Sequence, residues 1–212
     1  MRQNKPDEAD RNREKWNTRA NTYDGYYKTF RGAVENYLDW EVLKKHLPRN
    51  KNAKILDAAG GTGRMTLRLV KMGYSVTLCD ISPGMLNVAK QKLLKEGLSD
   101  KVTIVECDVR GLPFADETFD FVLCWDGGAE AENELIRVTR KGGRISVYLV
   151  NKWAAAINRF YGDPQSALAM LESSPSYIDD DSTKHRVVSP EEARDMSEIE
   201  GIRDIDAYGV CG

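Results

Sequence analysis

The residues with the clearest chemical potential are a glycine-rich run and an acidic side chain that follows it. Residues 57–63 read DAAGGTG and stand between an apolar run and a helix-like segment. Glycine has no Cβ atom, so such a loop can turn sharply and bring its backbone close to a ligand. Asp80 ends the next apolar run, roughly 20 residues later, where a carboxylate can accept hydrogen bonds from both hydroxyls of a ribose. This arrangement predicts a site for a ligand that contains a nucleoside.

Other interpretations of the same residues fit less well. A P-loop requires a lysine after its last glycine, whereas Arg64 follows Gly63. A nicotinamide dinucleotide fingerprint requires a third glycine where Thr66 stands, which weakens that interpretation without eliminating it. A purely structural turn would rarely contain three glycines in four residues. Asp80 could also serve only as a helix-capping residue. The nucleoside site is favoured, and these alternatives stay open.

The elements that must position these residues alternate between strands and helices. Apolar runs predict strands at 54–57, 75–79, 102–105, 119–123, 145–150 and 202–210. Helices are predicted at 64–72, from a Ser82-Pro83 cap to 97, at 130–140, and from a capping box at 189–192 to 201. The tight turn Lys141-Gly142-Gly143 separates the helix at 130–140 from the strand at 145–150. This alternation predicts an α/β fold, doubly wound, with a mostly parallel sheet and helices on both faces.

Such a sheet binds its ligand beyond the carboxyl ends of its strands. Asp57, Asp80, Asp108 and Cys124 each follow or end one of the first four predicted strands, so we expect them to meet there. We expect the Asp80 carboxylate to be exposed in the empty site. Cys124 has no feature of an activated nucleophile and is interpreted as a buried strand-end residue.

The bulk properties exclude several classes of protein. A net charge of -2 and a pI near 5.8 give no general attraction to nucleic acid. The sequence lacks an apolar run long enough to span a membrane, and its charged start does not resemble a signal peptide. Four cysteines without a C-x-x-C pair predict reduced thiols in a cytoplasmic protein and no metal site.

The motifs resemble those of class I S-adenosylmethionine-dependent methyltransferases. Residues 55–64, ILDAAGGTGR, are similar to the family's first motif, D-x-G-x-G-x-G, with Ala59 in place of its first glycine. Because alanine is the next smallest side chain, we expect this replacement to matter little. Residues 106–114, ECDVRGLPF, resemble the family's G-D-A-x-x-L-P-F segment, and Tyr23-Asp24 resembles a Y-D pair in the N-terminal cover of the small-molecule branch. That branch includes the ubiquinone and menaquinone biosynthesis C-methyltransferases.

The resemblance implies a Rossmann-like domain that binds S-adenosylmethionine and releases S-adenosylhomocysteine. The loop would pass under the methionine part of the cofactor, with the backbone near Gly61 and Gly63 contacting its amino and carboxylate groups. Asp108 would accept a bond from the adenine amino group, and the Val109 backbone would contact the ring edge. The predicted cofactor-binding residues are Asp57, Ala59, Gly60, Gly61, Gly63, Asp80, Ile81, Asp108, Val109, Cys124 and Tyr23.

The acceptor is predicted by elimination to be a small molecule. The Cys124-Trp125-Asp126 segment lacks both the N-P-P-Y motif of enzymes that methylate amide or base nitrogens and the Pro-Cys nucleophile of RNA cytosine enzymes. No catalytic residue stands out, and His185 and Asp126 are only candidates for a general base. The acceptor atom and the oligomeric state are left open. A nicotinamide-dependent oxidoreductase and a non-catalytic module that binds an adenosyl ligand are the alternative functions.

The chain is predicted to contain two regions outside the strand–helix alternation. Residues 1–50, the N-terminal cover, are predicted to be helical, are rich in tryptophan and tyrosine and are expected to lie over the cofactor. Residues 51–212 form the cofactor-binding domain, with a lid insertion at about 151–188 that holds a helix pair and an acidic loop at 179–181. Compared with the family, segments near 127–129 and after 212 are expected to be missing, since no seventh strand follows the sixth.

Overall fold

The chain divides into two units that are described separately. The computed structural model describes residues 8–125, 131–173, 176–180, 183–195 and 206, with side chains outside this description at 176–180, 183–186 and 194. The first unit is Met1–Val147 and the second is Tyr148–Gly212. Among the described residues, no helix is both long and apolar enough to cross a membrane.

The first unit contains a five-stranded parallel sheet, as the sequence predicts. Its strands are β1 (Ile55–Ala58), β2 (Val76–Asp80), β3 (Val102–Glu106), β4 (Phe119–Cys124) and β5 (Thr139–Val147). Their order is β3-β2-β1-β4-β5, and every neighbouring pair is parallel. The order reverses between β1 and β4, which makes the carboxyl end of β1 the topological switch point of the sheet.

Five helices accompany this sheet. They are α1 (Glu8–Tyr23), α2 (Phe30–His46), α3 (Arg64–Lys71), α4 (Pro83–Lys95) and α5 (Glu132–Val138). The predicted cap of α4 is confirmed, because the Ser82 hydroxyl accepts a 3.1 Å hydrogen bond from the Met85 amide. Gly73 and Gly97, which follow α3 and α4, have φ of 93° and 67° and end these helices as predicted.

Both faces of the sheet are buried, which explains why its strands read as continuous apolar runs. On one face, Leu56 of β1 and Val122 of β4 pack with Val138 of α5. On the other face, Ile55 and Phe121 pack with residues of α2 and α3, including Leu43 and Leu69. Each side chain of this kind that is fully buried stabilises the fold by about 1.5–3 kcal/mol.

The predicted boundary between the helix at 130–140 and the strand at 145–150 is wrong. Helix α5 ends at Val138, and β5 begins at once at Thr139 instead of at 145. Thr139 pairs with Phe119 and Arg144 with Phe121, so the segment predicted as a turn is a bulge inside the strand, with Gly142 at φ 77°. Strand β5 ends at Val147, and residue 150 belongs to the second unit.

The described residues of the second unit form a small three-stranded sheet and three helices. These elements are β6 (Val150–Asn151), α6 (Lys152–Phe160), α7 (Pro164–Glu172), β7 (Ser176–Asp180), β8 (Thr183–Val188) and α8 (Pro190–Asp195). The strand order is β6-β8-β7, with β7 and β8 antiparallel. The predicted helix pair is therefore present, but two of the three residues predicted as an acidic loop end β7.

The capping box that begins α8 is also present. The Ser189 amide donates to Glu192 at 2.7 Å, and the Glu192 amide donates to the Ser189 hydroxyl at 3.1 Å. The predicted sixth strand at 202–210 and the junction at 127–129 lie outside the described residues.

Candidate active site

The glycine loop leaves β1 and enters α3 through three residues with positive φ. These are Ala59 at 51°, Gly61 at 54° and Gly63 at 71°. The loop is fixed by hydrogen bonds from the Gly60 amide to the Cys79 carbonyl and from the Gly63 amide to the Gly60 carbonyl. Backbone conformation rather than side-chain size therefore decides the consequence of alanine at position 59. An L-residue at positive φ is strained, so the replacement has a backbone cost, and the expectation that it matters little stays a prediction.

Glycine is required at the three positions of the loop for different structural reasons. A Cβ atom at Gly60 would lie 2.4 Å from Leu78 Cδ1, and one at Gly63 would lie 3.2 Å from Ala89 Cβ. A Cβ atom at Gly61 would have only the Asp80 carboxylate within 4 Å, at 3.9 Å. Gly60 and Gly63 thus allow close packing beneath the loop. Gly61 faces open space beside a carboxylate, which is the cradle that an adenosyl cofactor would need.

Asp57 supports the loop from inside the protein. Its Oδ2 atom accepts hydrogen bonds from the Thr66 amide at 3.0 Å and from the Thr66 hydroxyl at 2.5 Å. Burial raises the pKa of the Asp57 carboxyl to about 6, although both bonds from Thr66 oppose the shift. The carboxylate therefore ties the end of β1 to the first turn of α3.

Asp80 lies against the same loop. Its Oδ2 accepts a 2.9 Å bond from the Gly61 amide, and its Oδ1 accepts a 2.8 Å bond from the Ser82 amide. The residue is only 7% exposed, so the expectation of an exposed carboxylate is wrong. The side-chain cap of α4 is Ser82 rather than Asp80. Each carboxylate oxygen can accept more than one hydrogen bond, so these two amide bonds do not by themselves prevent the carboxylate from binding ribose hydroxyls.

Asp108 and Val109 follow β3, next to the end of β2. The Asp108 carboxylate accepts bonds from the Arg110 guanidinium, the shortest 2.7 Å, and from the Arg110 amide at 2.9 Å. This guanidinium lowers the pKa of Asp108, and it also pairs with Glu8 at 3.3 Å. Val109 is buried. An adenine amino group would therefore have to share the Asp108 carboxylate with Arg110.

The Leu-Pro-Phe segment that follows is held by α5. The Leu112 amide donates to Glu134 at 2.7 Å, while Arg137 donates to the carbonyls of Leu112 and Phe114 at 2.9 and 2.8 Å. Hydrogen bonds to Glu134 and Asp116 raise the pKa of the Arg137 guanidinium. A charged helix face therefore fixes the loop that carries Asp108.

The N-terminal helices contact the carboxyl ends of the strands. Asp24 accepts a 2.7 Å bond from the Thr62 hydroxyl in the glycine loop and pairs with Lys92 of α4 at 2.7 Å. Asn17 of α1 accepts bonds from the Ser82 hydroxyl at 2.7 Å and from the Gly84 amide at 2.8 Å. Both polar side chains hold α1 against the site.

Further contacts extend the same surface. Arg13 donates to the carbonyl of Ile81 at 3.3 Å. The Tyr23 ring packs edge-on against Trp16 and Tyr27, with centroids 5.9 Å away in both cases. Other aromatic residues of the N-terminal cover are exposed, including Phe30 at 89%.

Sequence reasoning did not identify Arg64, which begins α3. Its Nη1 donates to Asn36 Oδ1 at 2.9 Å and pairs with Asp39 Oδ2 at 3.2 Å. Its guanidinium carbon lies 4.3 Å from the centroid of the Tyr27 ring and 5.8 Å from that of Trp125. Two signals could have indicated it: a permanent charge directly after the loop, and two polar residues three apart, Asn36 and Asp39, in the aromatic N-terminal region.

The remaining predicted residues are placed as follows. Cys124 is buried at the end of β4, in register with Ala58 of β1. Asp126 lies outside the described residues, and His185 lies in β8 opposite Ile178, with its side chain outside the description. Within the part of the chain that the structure describes, no group of three or more acidic, cysteine or histidine residues could hold a metal ion.

Comparison with known proteins agrees with this geometry. Residues 55–143 match the model of a family described as a methyltransferase domain. A ubiquinone/menaquinone biosynthesis C-methyltransferase from Stutzerimonas stutzeri is 30% identical over 178 residues, covering 75% of this chain and 68% of the relative. A protein of the same name from Pseudomonas paraeruginosa is 38% identical over 113 residues, covering 49% of this chain and 44% of the relative. The chain therefore spans about half the length of the curated relatives that it matches.

The fold also has a counterpart among solved structures. A crystal structure of a candidate S-adenosyl-L-methionine-dependent methyltransferase from Methanococcus maripaludis superposes with a TM-score of 0.54 at 19% identity. The match covers 89% of this chain and 96% of that one. At this identity the likeness shows the fold alone.

Proposed function

The chain belongs to the class I S-adenosylmethionine-dependent methyltransferases, and from this premise we propose that it transfers a methyl group from S-adenosylmethionine to a small-molecule acceptor. The observation that carries the proposal is the pairing of Gly61 with Asp80. The loop amide and the carboxylate are 2.9 Å apart, at the switch point of the sheet. Open space at Gly61 beside the Asp80 carboxylate fits the ribose and methionine parts of the cofactor.

The proposed cofactor site follows the ends of β1, β2, β3 and β4. The glycine loop would hold the methionine part, Asp80 the ribose and the segment after β3 the adenine. Asp57 would act by fixing the loop, because its carboxylate is already bonded to Thr66. The full proposed set is Asp57, Ala59, Gly60, Gly61, Gly63, Asp80, Ile81, Asp108, Val109, Cys124 and Tyr23.

The nature of the acceptor is supported by the relatives. The matched relatives are named ubiquinone/menaquinone biosynthesis C-methyltransferases. This name favours an acceptor that is a small molecule and is methylated at carbon. The segment after β4 carries none of the motifs of nitrogen-methylating or RNA cytosine enzymes. A cytoplasmic location is part of the proposal, and it is supported by the reduced thiols of Cys79 and Cys107.

The chemistry asks the protein mainly for positioning. Bound S-adenosylmethionine supplies a methyl group that its positively charged sulfur has already activated. The protein must orient donor and acceptor, which is worth roughly 7–11 kcal/mol in well-oriented intramolecular reactions. Tyr23, Tyr27 and Trp125 are the described aromatic residues available to shield the methyl group from water and to face a sulfonium.

Calorimetric titration with S-adenosylmethionine, S-adenosylhomocysteine and NAD tests the proposal. We expect both adenosyl ligands to bind in the micromolar range and to raise the Tm. At a hundredfold excess of ligand over Kd, the free energy of unfolding should increase by about 2.7 kcal/mol. A screen of small-molecule acceptors with methyl-labelled cofactor then tests transfer. Binding of NAD alone would contradict the methyltransferase function, and adenosyl binding without transfer to any acceptor would favour a binding module.

Substitution of Asp80 tests the site within the same titration. Asp80→Ala should weaken S-adenosylhomocysteine binding at least tenfold, since each charge-assisted ribose bond contributes roughly 1.5–3 kcal/mol. It should also lower the Tm, because the Gly61 and Ser82 amides lose their acceptor. Asp120→Ala is the matched control: it removes a carboxylate that accepts a 2.7 Å bond from the Lys54 amide near the amino end of β4, and it should lower the Tm with little change in affinity. Equal affinities in both variants would show that Asp80 is only structural.

A further inference from the structure

One side chain next to the glycine loop joins four separate elements. Arg64 directly follows Gly63, and its side chain is only 16% exposed. It pairs with Asp39 of α2, whose side chain is 10% exposed, at 3.2 Å. The guanidinium also bonds to Asn36 on the same helix at 2.9 Å. The start of α3 is thereby fixed to α2 through a largely buried ion pair.

The same guanidinium contacts two aromatic rings. Tyr27 belongs to the short 3-10 turn Tyr26–Lys28, and its ring centroid is 4.3 Å from the Arg64 guanidinium carbon. Trp125 directly follows β4, and its ring centroid is 5.8 Å away. Both distances lie within the range of cation–π attraction, which is about 6 Å. Trp125 is held further by a 2.9 Å bond from its indole N–H to the Ser146 hydroxyl.

The electrostatic situation at this cluster constrains what can bind beside it. A guanidinium is charged at all accessible pH values. S-adenosylmethionine carries a positive sulfonium, and the proposed function places the methionine part of the cofactor at the loop that Arg64 terminates. Two positive charges close together in a partly buried site would repel each other strongly, unless an anion compensates one of them. Asp39, which pairs with Arg64 at 3.2 Å, is the anion in direct contact with the guanidinium.

We propose that Arg64 is a positioning residue that sets Tyr27 and Trp125 at the methionine end of the cofactor site, and that Asp39 balances its charge so that a sulfonium can bind there. This inference rests on the proposed function. It predicts that the Asp39–Arg64 pair influences the preference between S-adenosylmethionine and S-adenosylhomocysteine, which differ by a methyl group and one positive charge. A purely structural ion pair would affect both ligands equally.

The test is the ratio of the two Kd values in a double-mutant cycle, measured by calorimetry at low salt. Asp39→Asn removes the anion in direct contact with the guanidinium and should weaken S-adenosylmethionine roughly three- to tenfold more than S-adenosylhomocysteine. Arg64→Met removes one positive charge and should shift the ratio in the opposite direction. The double variant has neither charge and should return the ratio to near the wild-type value.

Lys71 offers a matched control on the same helix. It lies about two turns farther from the loop than Arg64 and pairs with Glu96 at 2.7 Å. Lys71→Met removes one positive charge from α3 and should leave the ratio unchanged. If one single variant fails to fold, the other still decides, because its change of charge should shift the ratio in one stated direction.

The outcomes separate this inference from the proposed function. Opposite shifts in the two single variants, with recovery in the double variant, would support the charge-balancing role. An unchanged ratio in all variants, with both ligands binding the wild type, would overturn it and leave the methyltransferase function intact. If only one of the two single variants folds, a shift of its ratio in the stated direction supports the role, and a ratio no more shifted than in Lys71→Met overturns it. Failure of the wild-type protein to bind either ligand would overturn both.

Discussion

At the scale of single residues, Asp57 carries a charge in an unfavourable place. It is almost completely buried, and its closest hydrogen-bond donor is the Thr66 side chain. Two donors on one oxygen offset only part of the desolvation of a carboxylate, so burial raises its pKa to about 6. The folded protein therefore binds a proton at Asp57 more tightly than the unfolded chain does. The resulting stabilisation is fully present below about pH 4 and is lost as the pH rises through about 6.

Asp57→Asn should remove this pH dependence. Between pH 4 and 6 the wild-type carboxyl lowers the free energy of unfolding by up to about 1.4 kcal/mol per pH unit, and an amide does not titrate. We expect the stability of the variant relative to the wild type to rise across this window. Urea unfolding at a series of pH values measures it, with the exposed Asp100→Asn as a control for the loss of one negative charge. A constant difference from pH 4 to pH 7 would contradict the assignment of the titration to Asp57.

Which site residues could be predicted from sequence follows from how each is positioned. Asp57, Asp80 and Asp108 could be predicted, because residues that end parallel strands meet at one edge whatever the details of packing. Their hydrogen-bond partners could not be predicted. The burial of Asp80 depends on two amides that turn toward it, and the pairing of Arg64 with Asp39 depends on where α2 packs. Such contacts are set by tertiary structure and leave no local pattern.

At the scale of elements, the loop between β1 and α3 contains a strained residue. Ala59 has φ 51°, in a region where an L-residue costs about 1–2 kcal/mol relative to its usual conformations. Its neighbour Ala58 is a fully buried residue of β1 with ordinary strand geometry. The two adjacent alanines therefore differ in backbone conformation, and the same substitution should affect them differently.

Ala59→Gly should leave stability within about 0.5 kcal/mol of the wild type or increase it. Relief of the strain is offset by the greater freedom of glycine in the unfolded chain, which is worth about 0.4–1 kcal/mol. Ala58→Gly, the matched control, should destabilise by about 1 kcal/mol or more, because glycine weakens a strand and the buried methyl group is lost. Chemical unfolding of both variants measures the difference. Equal destabilisation would show that Ala59 is not strained.

The elements themselves could be predicted where each has its own local pattern. Strands β1 to β4 and helices α3 and α4 lie within about one or two residues of the predicted positions, because apolar runs and caps define them. Strand β5 could not be predicted in the same way. Its glycine pair is typical of a turn, but pairing with β4 on both sides of the pair makes it a bulge. Partner strands decide between these two outcomes, and a single sequence does not contain them.

At the scale of the whole first unit, the attachment of α1 determines access to the site. The helix is held against the glycine loop and α4 mainly by polar contacts, through Asn17 and Asp24. Only one residue of α1, Ala20, is buried. A helix with so little buried apolar surface opens locally at low free energy, as a cover that admits a ligand must. This is the physical basis for expecting the N-terminal cover to respond to the cofactor.

Hydrogen exchange with and without S-adenosylhomocysteine should show this response. We expect residues 16–30 to exchange fast in the empty protein and to become protected with ligand, together with residues 57–63. Asp24→Ala removes the acceptor of Thr62 and the partner of Lys92, so it should speed exchange in α1 and reduce the protection. Glu35→Ala is the control, because it removes an acidic partner of Tyr26 and Arg31 that does not contact the loop. If ligand protects 57–63 while 16–30 exchange equally fast in both states, the N-terminal helices are static packing and do not cover the cofactor.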